Sequence, residues 1–326
     1  MIEIILYIVF GLSILFPIYT YAIYPLILKM LPKKKYEVNS IVPFVSVIIY
    51  IGNGNDEWKE NNVKSSNYPS FEIIASKNIN EAVDRAKGEV LVFVDNETEL
   101  DSEALRNIVK PFSDKRIDLV VGEQTCREGN SAFWKYETKV KSLESKIGSV
   151  SGANNSLFAI RKSKMFLAPN KVKNVSFFIS TKVKQNKGDV VYCPEAKTYE
   201  KRSDGANFKH HVIEASGYWQ AFILFWKMLF FRKGSFVYVS HRVMKWFVWL
   251  NMLLLLASSV WLSVLMWPWI FVVAIQMLTY LLLLIVKNNN NQSGPISKLM
   301  NLLIYFFLLN VSFFLGIFMK KNAGNA

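Results

Sequence analysis

Apolar positions collect at the two ends of this chain, while its middle alternates. Residues 2–31 carry only Glu3 and Lys29 as charges. A run of about 20 apolar residues at 1.5 Å each crosses a hydrocarbon core of roughly 30 Å, so the pattern predicts a transmembrane helix over 1–31. Pro17 and Pro25 are expected to kink it, which a membrane helix tolerates. A signal peptide fits poorly, because the run is too long, has no basic n-region and no small-x-small cleavage site. Lys33, Lys34 and Lys35 follow at once and place that end in the cytoplasm, with the N-terminus outside. Further spans are predicted near 246–265, 268–286 and 299–318, with an outer turn at Trp267-Pro268-Trp269 and a polar return loop over 287–298. Parity then leaves Lys320 and Lys321 outside, against the same rule. A re-entrant last segment and tolerated lysines both answer this, and both stay open.

Between these ends the pattern changes to short β-branched runs and helical stretches. Phe44–Tyr50, Glu72–Ala75, Val90–Val94 and Asp118–Val121 predict buried strands. A helix is predicted over 80–87 with Gly88 as its C-cap. A second is expected over 101–112 with Asp101 as N-cap, and a third over 133–147. Val90–Val94 runs straight into Asp95-Asn96-Glu97. Acidic groups at the carboxyl end of a central strand sit where open α/β sheets bind ligands, and a pair of them can hold a divalent cation and through it a diphosphate. A plain polar turn explains the same residues.

Phe208, Val212, Ala215, Trp219, Phe222, Trp226 and Leu229 recur at steps of four and three, which predicts one aromatic helix face. Eight bases and three acids lie between 200 and 245. They supply much of the net charge of +14, from 39 Lys and Arg against 25 Asp and Glu. The stripe with its bases reads as an interfacial helix, and anionic lipid head groups are the expected partner, at about 1 kcal/mol per base near the surface. No nucleic-acid motif accompanies the bases, so nucleic acid is not expected. His210 and His211 read as a solvated or lipid-facing pair. The two cysteines, Cys126 and Cys193, have no companions at metal-ligand spacing, which argues for a reduced domain without zinc.

The run GEVLVFVDNETELDSEAL resembles the strand–DxD–helix segment of membrane-bound family 2 glycosyltransferases, the class of hyaluronan and cellulose synthases and bacterial exopolysaccharide transferases. The likeness continues in order through FWKYETKVKSLESKIG, GANNSLFAIR, VVYCPEAKTYE and FKHHVIEASGYWQA. It implies a GT-A cytoplasmic domain, with a Rossmann-like mixed α/β sheet, plus transmembrane α-helices. The implied division is 1–31 transmembrane, 42–204 GT-A-like, 205–245 interfacial and 246–320 transmembrane. Asp95 and Glu97 match the nucleotide and metal positions. Gly152, Ala153 and Asn154 match the acceptor loop, and Trp219, Gln220 and Trp226 belong to the interfacial helix.

The chain departs from the family where chemistry is carried. The first strand ends in Ile51-Gly52-Asn53-Gly54-Asn55 rather than a Tyr-Asn-Glu turn. The second leads through Ser76-Lys77-Asn78 into a helix, without the base-binding Asp and its loop. Val175 and Ser176 occupy the general-base positions, and losing a base costs about 10²–10⁴ in rate. The Gln, Arg and Trp of the interfacial motif appear as His210, Ile213 and Glu214, which removes a phosphate-binding fork. The resemblance therefore implies a degenerate, non-catalytic relative, a subunit or scaffold of cell-surface polysaccharide synthesis in a bacterial cytoplasmic membrane. Its partner would be an intact glycosyltransferase or a polysaccharide-export subunit, and it would bind nucleotide sugar weakly or not at all. The alternative is an active, divergent transferase using Mg²⁺ or Mn²⁺ at Asp95 and Glu97, with Glu200 or another carboxylate as base.

Overall fold

The computed structural model describes residues 2–50, 57–126, 132–169, 172–200, 208–230, 234–285 and 295–319. The turn over 51–55, the return loop over 287–294, Lys201, Arg202, Asp204, Arg232, Lys233, Lys320 and Lys321 lie outside the described residues. The chain divides into two compact units. One comprises Leu28–Ala206 and Gln220–Tyr238, the other Met1–Ile27, Asn207–Trp219 and Val239–Ala326.

The first unit is built on a seven-stranded mixed sheet. Its strands are β1 (Val45–Tyr50), β2 (Phe71–Ser76), β3 (Val90–Asp95), β4 (Thr98–Leu100), β5 (Ile117–Cys126), β6 (Leu157–Arg161) and β7 (Asp189–Glu200), in the order β2-β1-β3-β6-β5-β7-β4. β1 pairs in parallel with β2 and β3, β6 runs antiparallel between β3 and β5, β7 is parallel to β5, and β4 closes the sheet antiparallel to β7. Alternate residues of β1, β3 and β6 (Val45, Val47, Ile49; Val90, Val92, Val94; Leu157, Ala159) share one core with Leu105, Ile108 and Phe112. That is the period-two pattern of strands covered by a helix. On the other face Phe93 stacks on its register partner Phe158, with centroids 4.6 Å apart.

Two expected boundaries are corrected. The helix α4 is Ile79–Arg85, capped by Asn78, whose side chain accepts from Asn80 N–H. Gly88 is not its C-cap. Gly88 N–H donates to Ser46 Oγ at 2.7 Å, and a Cβ there would stand 2.3 Å from the Ser46 backbone nitrogen, so close approach of two backbones demands the glycine. The second expected helix begins later, as α5 (Ala104–Val109), and continues as a 3₁₀ turn over Lys110–Ser113. Residues 98–100, just before the expected helix, form β4. Asp101 still accepts an N–H, that of Glu103, at 3.0 Å.

Helices α3 (Glu57–Lys64), α6 (Ala132–Ser145) and α7 (Val175–Gln185) complete this unit. α3 grips the last strand: Asn62 Nδ2 donates to Leu100 C=O at 3.1 Å, and Asn62 Oδ1 accepts Leu100 N–H at 2.7 Å. The lysine run after residue 31 is fastened to the same unit. Lys34 N–H donates to Lys146 C=O, the Lys34 ammonium pairs with Asp189, and Tyr36 Oη donates to Asp189 at 3.0 Å.

The second unit is helical. Two of its helical stretches, Ile2–Met30 and Val248–Leu265, are long and apolar enough to cross a membrane; Trp269–Leu283 and Leu302–Phe318 are shorter apolar helices. The N-terminal stretch consists of α1 (Ile2–Ile18), a π turn over Tyr19–Ile23 and α2 (Tyr24–Met30). Pro17 lies within α1, and the expected disturbance takes the form of a π turn just before Pro25, which has no N–H to give the ladder. Thr20 Oγ1 donates to Phe16 C=O at 2.9 Å. The expected later spans fall on α9 (Val248–Leu265), α10 (Trp269–Ile285) and α11 (Pro295–Phe318).

Candidate functional site

The carboxyl ends of the first three strands meet at one point of the first unit: Tyr50 is in register with Ser76 on one side and Asp95 on the other. Asp95 is held by backbone, with its N–H on Ser156 C=O at 3.2 Å and its Oδ1 accepting Glu97 N–H at 3.2 Å. Burial pushes its carboxyl above the ordinary range, opposed by the N–H of Glu97 and the charge of Lys59. Glu97 points outward and is exposed. The turn is closed from below by Lys59 of α3, a fully buried lysine whose ammonium donates to Thr98 C=O.

Thr98 is paired with Glu200 at the end of β7. A polar chain continues from there: Gln124 Nε2 donates to Glu200 Oε1, and Asn154 Nδ2 lies 3.5 Å from Gln124 Oε1. Trp134 Nε1 fixes the Gln124 backbone at 2.8 Å. The turn carrying Asp95 and the loop carrying Asn154 are therefore bridged by polar side chains. Gly152 and Ala153 of that loop are buried, and Asn154 Oδ1 is buried without a partner.

Ser176, which the resemblance sets at the base position, is bound into a packed joint. Its hydroxyl is 2% exposed and lies 2.6 Å from Asn155 Oδ1, 3.0 Å from Asn174 Oδ1 and 3.2 Å from Ala153 C=O. Asn174 caps α7 by accepting Phe177 N–H at 3.0 Å. Ser180 Oγ accepts Ala153 N–H at 3.0 Å and donates to Phe177 C=O. One serine proton thus faces three acceptors, in a packed joint between loop and helix. The half-buried Val175 beside it has no proton chemistry to offer. This joint holds the loop of Ala153 and Asn155 to α7.

The interfacial stripe does not form a single helix. α8 covers Phe208–Leu224, the chain breaks at Phe225, and Trp226–Leu229 is a 3₁₀ turn. Trp219 donates its indole N–H to Phe313 C=O at 2.8 Å and meets Phe247 edge-on, inside the helical unit. Gln220 accepts Lys173 N–H at 2.9 Å within the sheet unit. Trp226 is 51% exposed. His211 meets the Tyr305 ring edge-on rather than being wholly solvated. Cys193 is buried, and burial, then Glu195, pushes its thiol up to about 12.

Asp95 and Glu97 are the residues that would hold a cation, and they fit one poorly. Among the described residues no three His, Cys, Asp or Glu side chains converge as metal ligands. Asp95 Oδ1 is already engaged, and a buried ammonium stands in the same turn. Lys59 and Asn155 are the site residues that sequence reasoning missed. The available signal for Lys59 was its spacing of four from Val63, which places both on the buried face of α3.

Residues 74–181 match the family described as Glycosyl transferase family 2. The mannosyltransferase PcManGT from Pyrobaculum calidifontis, solved in complex with GDP-Man and Mn²⁺, superposes with a TM-score of 0.70 at 15% identity, over 98% of this chain and 100% of that one. Over residues 74–181 this chain is family 2 glycosyltransferase-like, and its fold is GT-A. A structure of GalNAc-T7 with UDP, GalNAc and Mn²⁺ is less similar, at a TM-score of 0.36 and 13% identity over 57% of this chain and 48% of that one. No curated protein matches the sequence. Within the GT-A domain, the joint around Ser176 and the turn at Asp95 both lie inside the stretch that matches the family.

Proposed function

We propose that the chain is a membrane-associated, catalytically degenerate GT-A protein, acting as a subunit or scaffold in cell-surface polysaccharide or glycan synthesis. The observation that carries this reading is Ser176: the residue at the base position is buried and bound up in holding the loop of Ala153 and Asn155 to α7. The missing base-binding Asp and the isoleucine at position 213 support the same reading. The GT-A domain would lie on the cytoplasmic face with the N-terminus outside, set against anionic head groups. Its partner would be an intact glycosyltransferase or an export subunit, and nucleotide sugar would bind weakly or not at all.

Calorimetry of the detergent-purified protein with GDP or UDP, with and without Mn²⁺, tests this. A dissociation constant at or below about 100 μM, roughly −5.5 kcal/mol, would overturn the scaffold reading. In cells, Asp95→Asn should leave polysaccharide output unchanged while deletion of the whole gene reduces it. The second reading, a divergent active transferase, has one observation in its favour: Glu200 is paired with Thr98, beside the Asp95 turn, and could act as base there. The PcManGT complex with GDP-Man and Mn²⁺ suggests the kind of donor such an enzyme would use.

A further inference from the structure

β2 ends the sheet on the side away from β4. It pairs in parallel with β1 from Val45↔Phe71 to Tyr50↔Ser76, with no shift of register. Ser70 C=O accepts Val45 N–H at 3.1 Å, so alternation along the strand turns the backbone groups of Glu72, Ile74 and Ser76 toward β1. Those of Phe71, Ile73 and Ala75 turn outward and make no hydrogen bond among the described residues.

An open ladder binds other strands unless something blunts it: a proline, a bulge or a charge on the edge. β2 (FEIIAS) holds neither proline nor bulge. Its one charge is directed inward, for Glu72 Oε1 accepts Ser46 Oγ–H and Lys87 N–H, each at 2.6 Å. Phe71 and Ile73 pack against the sheet core, which keeps the strand in place.

We infer that β2 is a homodimerisation edge, pairing antiparallel with β2 of a second copy about a two-fold axis. Outward residues must face outward residues across such a ladder, so the axis passes through Ile73 or Ile74 if the whole strand takes part. With the axis at Ile74, Ile73 faces Ala75 and Glu72 faces Ser76. No like charges oppose one another, and the contact is isologous. With the axis at Ile73, the two Glu72 residues would stand on the diagonal, near enough to repel. The edge presents no free charge to select a charged partner strand, whereas a second FEIIAS matches it in length, polarity and phase. Each β2 has one open side, so the pairing stops at two copies. An active transferase would carry the same edge, so the pairing is independent of lost catalysis.

Sedimentation of the full chain in detergent, over about 10–200 μM, is the test. Wild type should show a reversible monomer–dimer equilibrium with a dissociation constant of about 100 μM or tighter. Ala75→Pro removes one outward N–H from each copy, leaves the bonds to β1 intact and should weaken the dimer about tenfold or more. Charge variants read the same contact without a proline. Residues 75 of the two copies are diagonal neighbours when the axis is at Ile74, so Ala75→Lys alone should dimerise less, and an equal mixture of Ala75→Lys and Ala75→Glu should recover mixed dimers. A wild-type chain that stays monomeric throughout overturns the inference and leaves β2 to a strand of another protein. A dimer indifferent to all three substitutions also overturns it, because the contact then lies elsewhere. Nucleotide binding in calorimetry would remove the scaffold reading and leave the β2 pairing intact, so the two failures are distinct.

Discussion

The Ser176 hydroxyl stands 2.6 Å from Asn155 Oδ1, and through this contact the loop before β6 is tied to the first turn of α7. A hydroxyl so placed has a structural task, and its removal should be read as lost stability. Ser176→Ala leaves buried acceptors short of a donor and should cost about 1–3 kcal/mol. Denaturant melts would measure it. If the variant keeps wild-type stability but abolishes polysaccharide output, the serine has a chemical role.

Gly88→Ala should be among the most damaging single changes in the sheet unit. The new methyl would meet the backbone of Ser46 at 2.3 Å, and backbone cannot swing aside as a long side chain can. Overpacking of this kind costs about 3 kcal/mol at the upper end of its usual range. Reduced abundance and a lowered melting temperature are expected; an unchanged melt would mean that β1 and the turn before β3 separate easily.

Acid should weaken the sheet unit partly through Asp114. The Arg116 side chain, bonded to Asp114 at 2.5 and 2.9 Å, holds that carboxyl well below the usual range, assisted by the N–H groups of Arg116 and Glu37. A depressed carboxyl stabilises the fold above its unfolded value of about 3.9 and loses that contribution as pH falls toward its folded value. Asp95 works in the opposite sense, because its raised carboxyl is relieved by protonation. Melts of wild type and Asp114→Asn should differ most at neutral pH, with a gap that begins to narrow below about pH 4 and closes only as pH nears the depressed folded value. A constant gap down to pH 3 would contradict the assignment.

Trp226 and Trp219 should part company in membrane binding. Trp226 is exposed and free to enter a head-group layer, whereas Trp219 is committed to Phe313 and Phe247. Trp226→Glu in the full chain should reduce extraction resistance from anionic bilayers without lowering the melting temperature. Trp219→Glu should lower the melting temperature. The reverse outcome would exchange their roles.

Four of the seven strands, β1, β2, β3 and β5, were legible because each holds a short apolar run rich in β-branched residues. β4 was not, since Thr98–Leu100 is polar at its centre and becomes a strand only by pairing with β7. The interfacial stripe misled for a related reason: a regular spacing of apolar residues says which face is buried but not against what, nor where a helix stops. α8 ends at Leu224, and the next residue, Phe225, leaves helical geometry and is buried with its ring centroid 5.5 Å from that of Phe178. At the candidate site the acids and the serine were visible by position. Lys59 was hidden because a lysine in a polar helix reads as solvated, and its spacing from Val63 is a weak signal beside its contact with Thr98.

The carboxamide of Asn62 offers Leu100 one donor and one acceptor, the same pair that a residue on a neighbouring strand would offer. β4 is the terminal strand of the sheet, and with Lys59 on Thr98 C=O its outward ladder is already occupied by side chains of α3. Unfilled terminal ladders recruit other chains. This one is closed to a polymerising second copy, so self-association of the protein at high concentration has to proceed through some other surface.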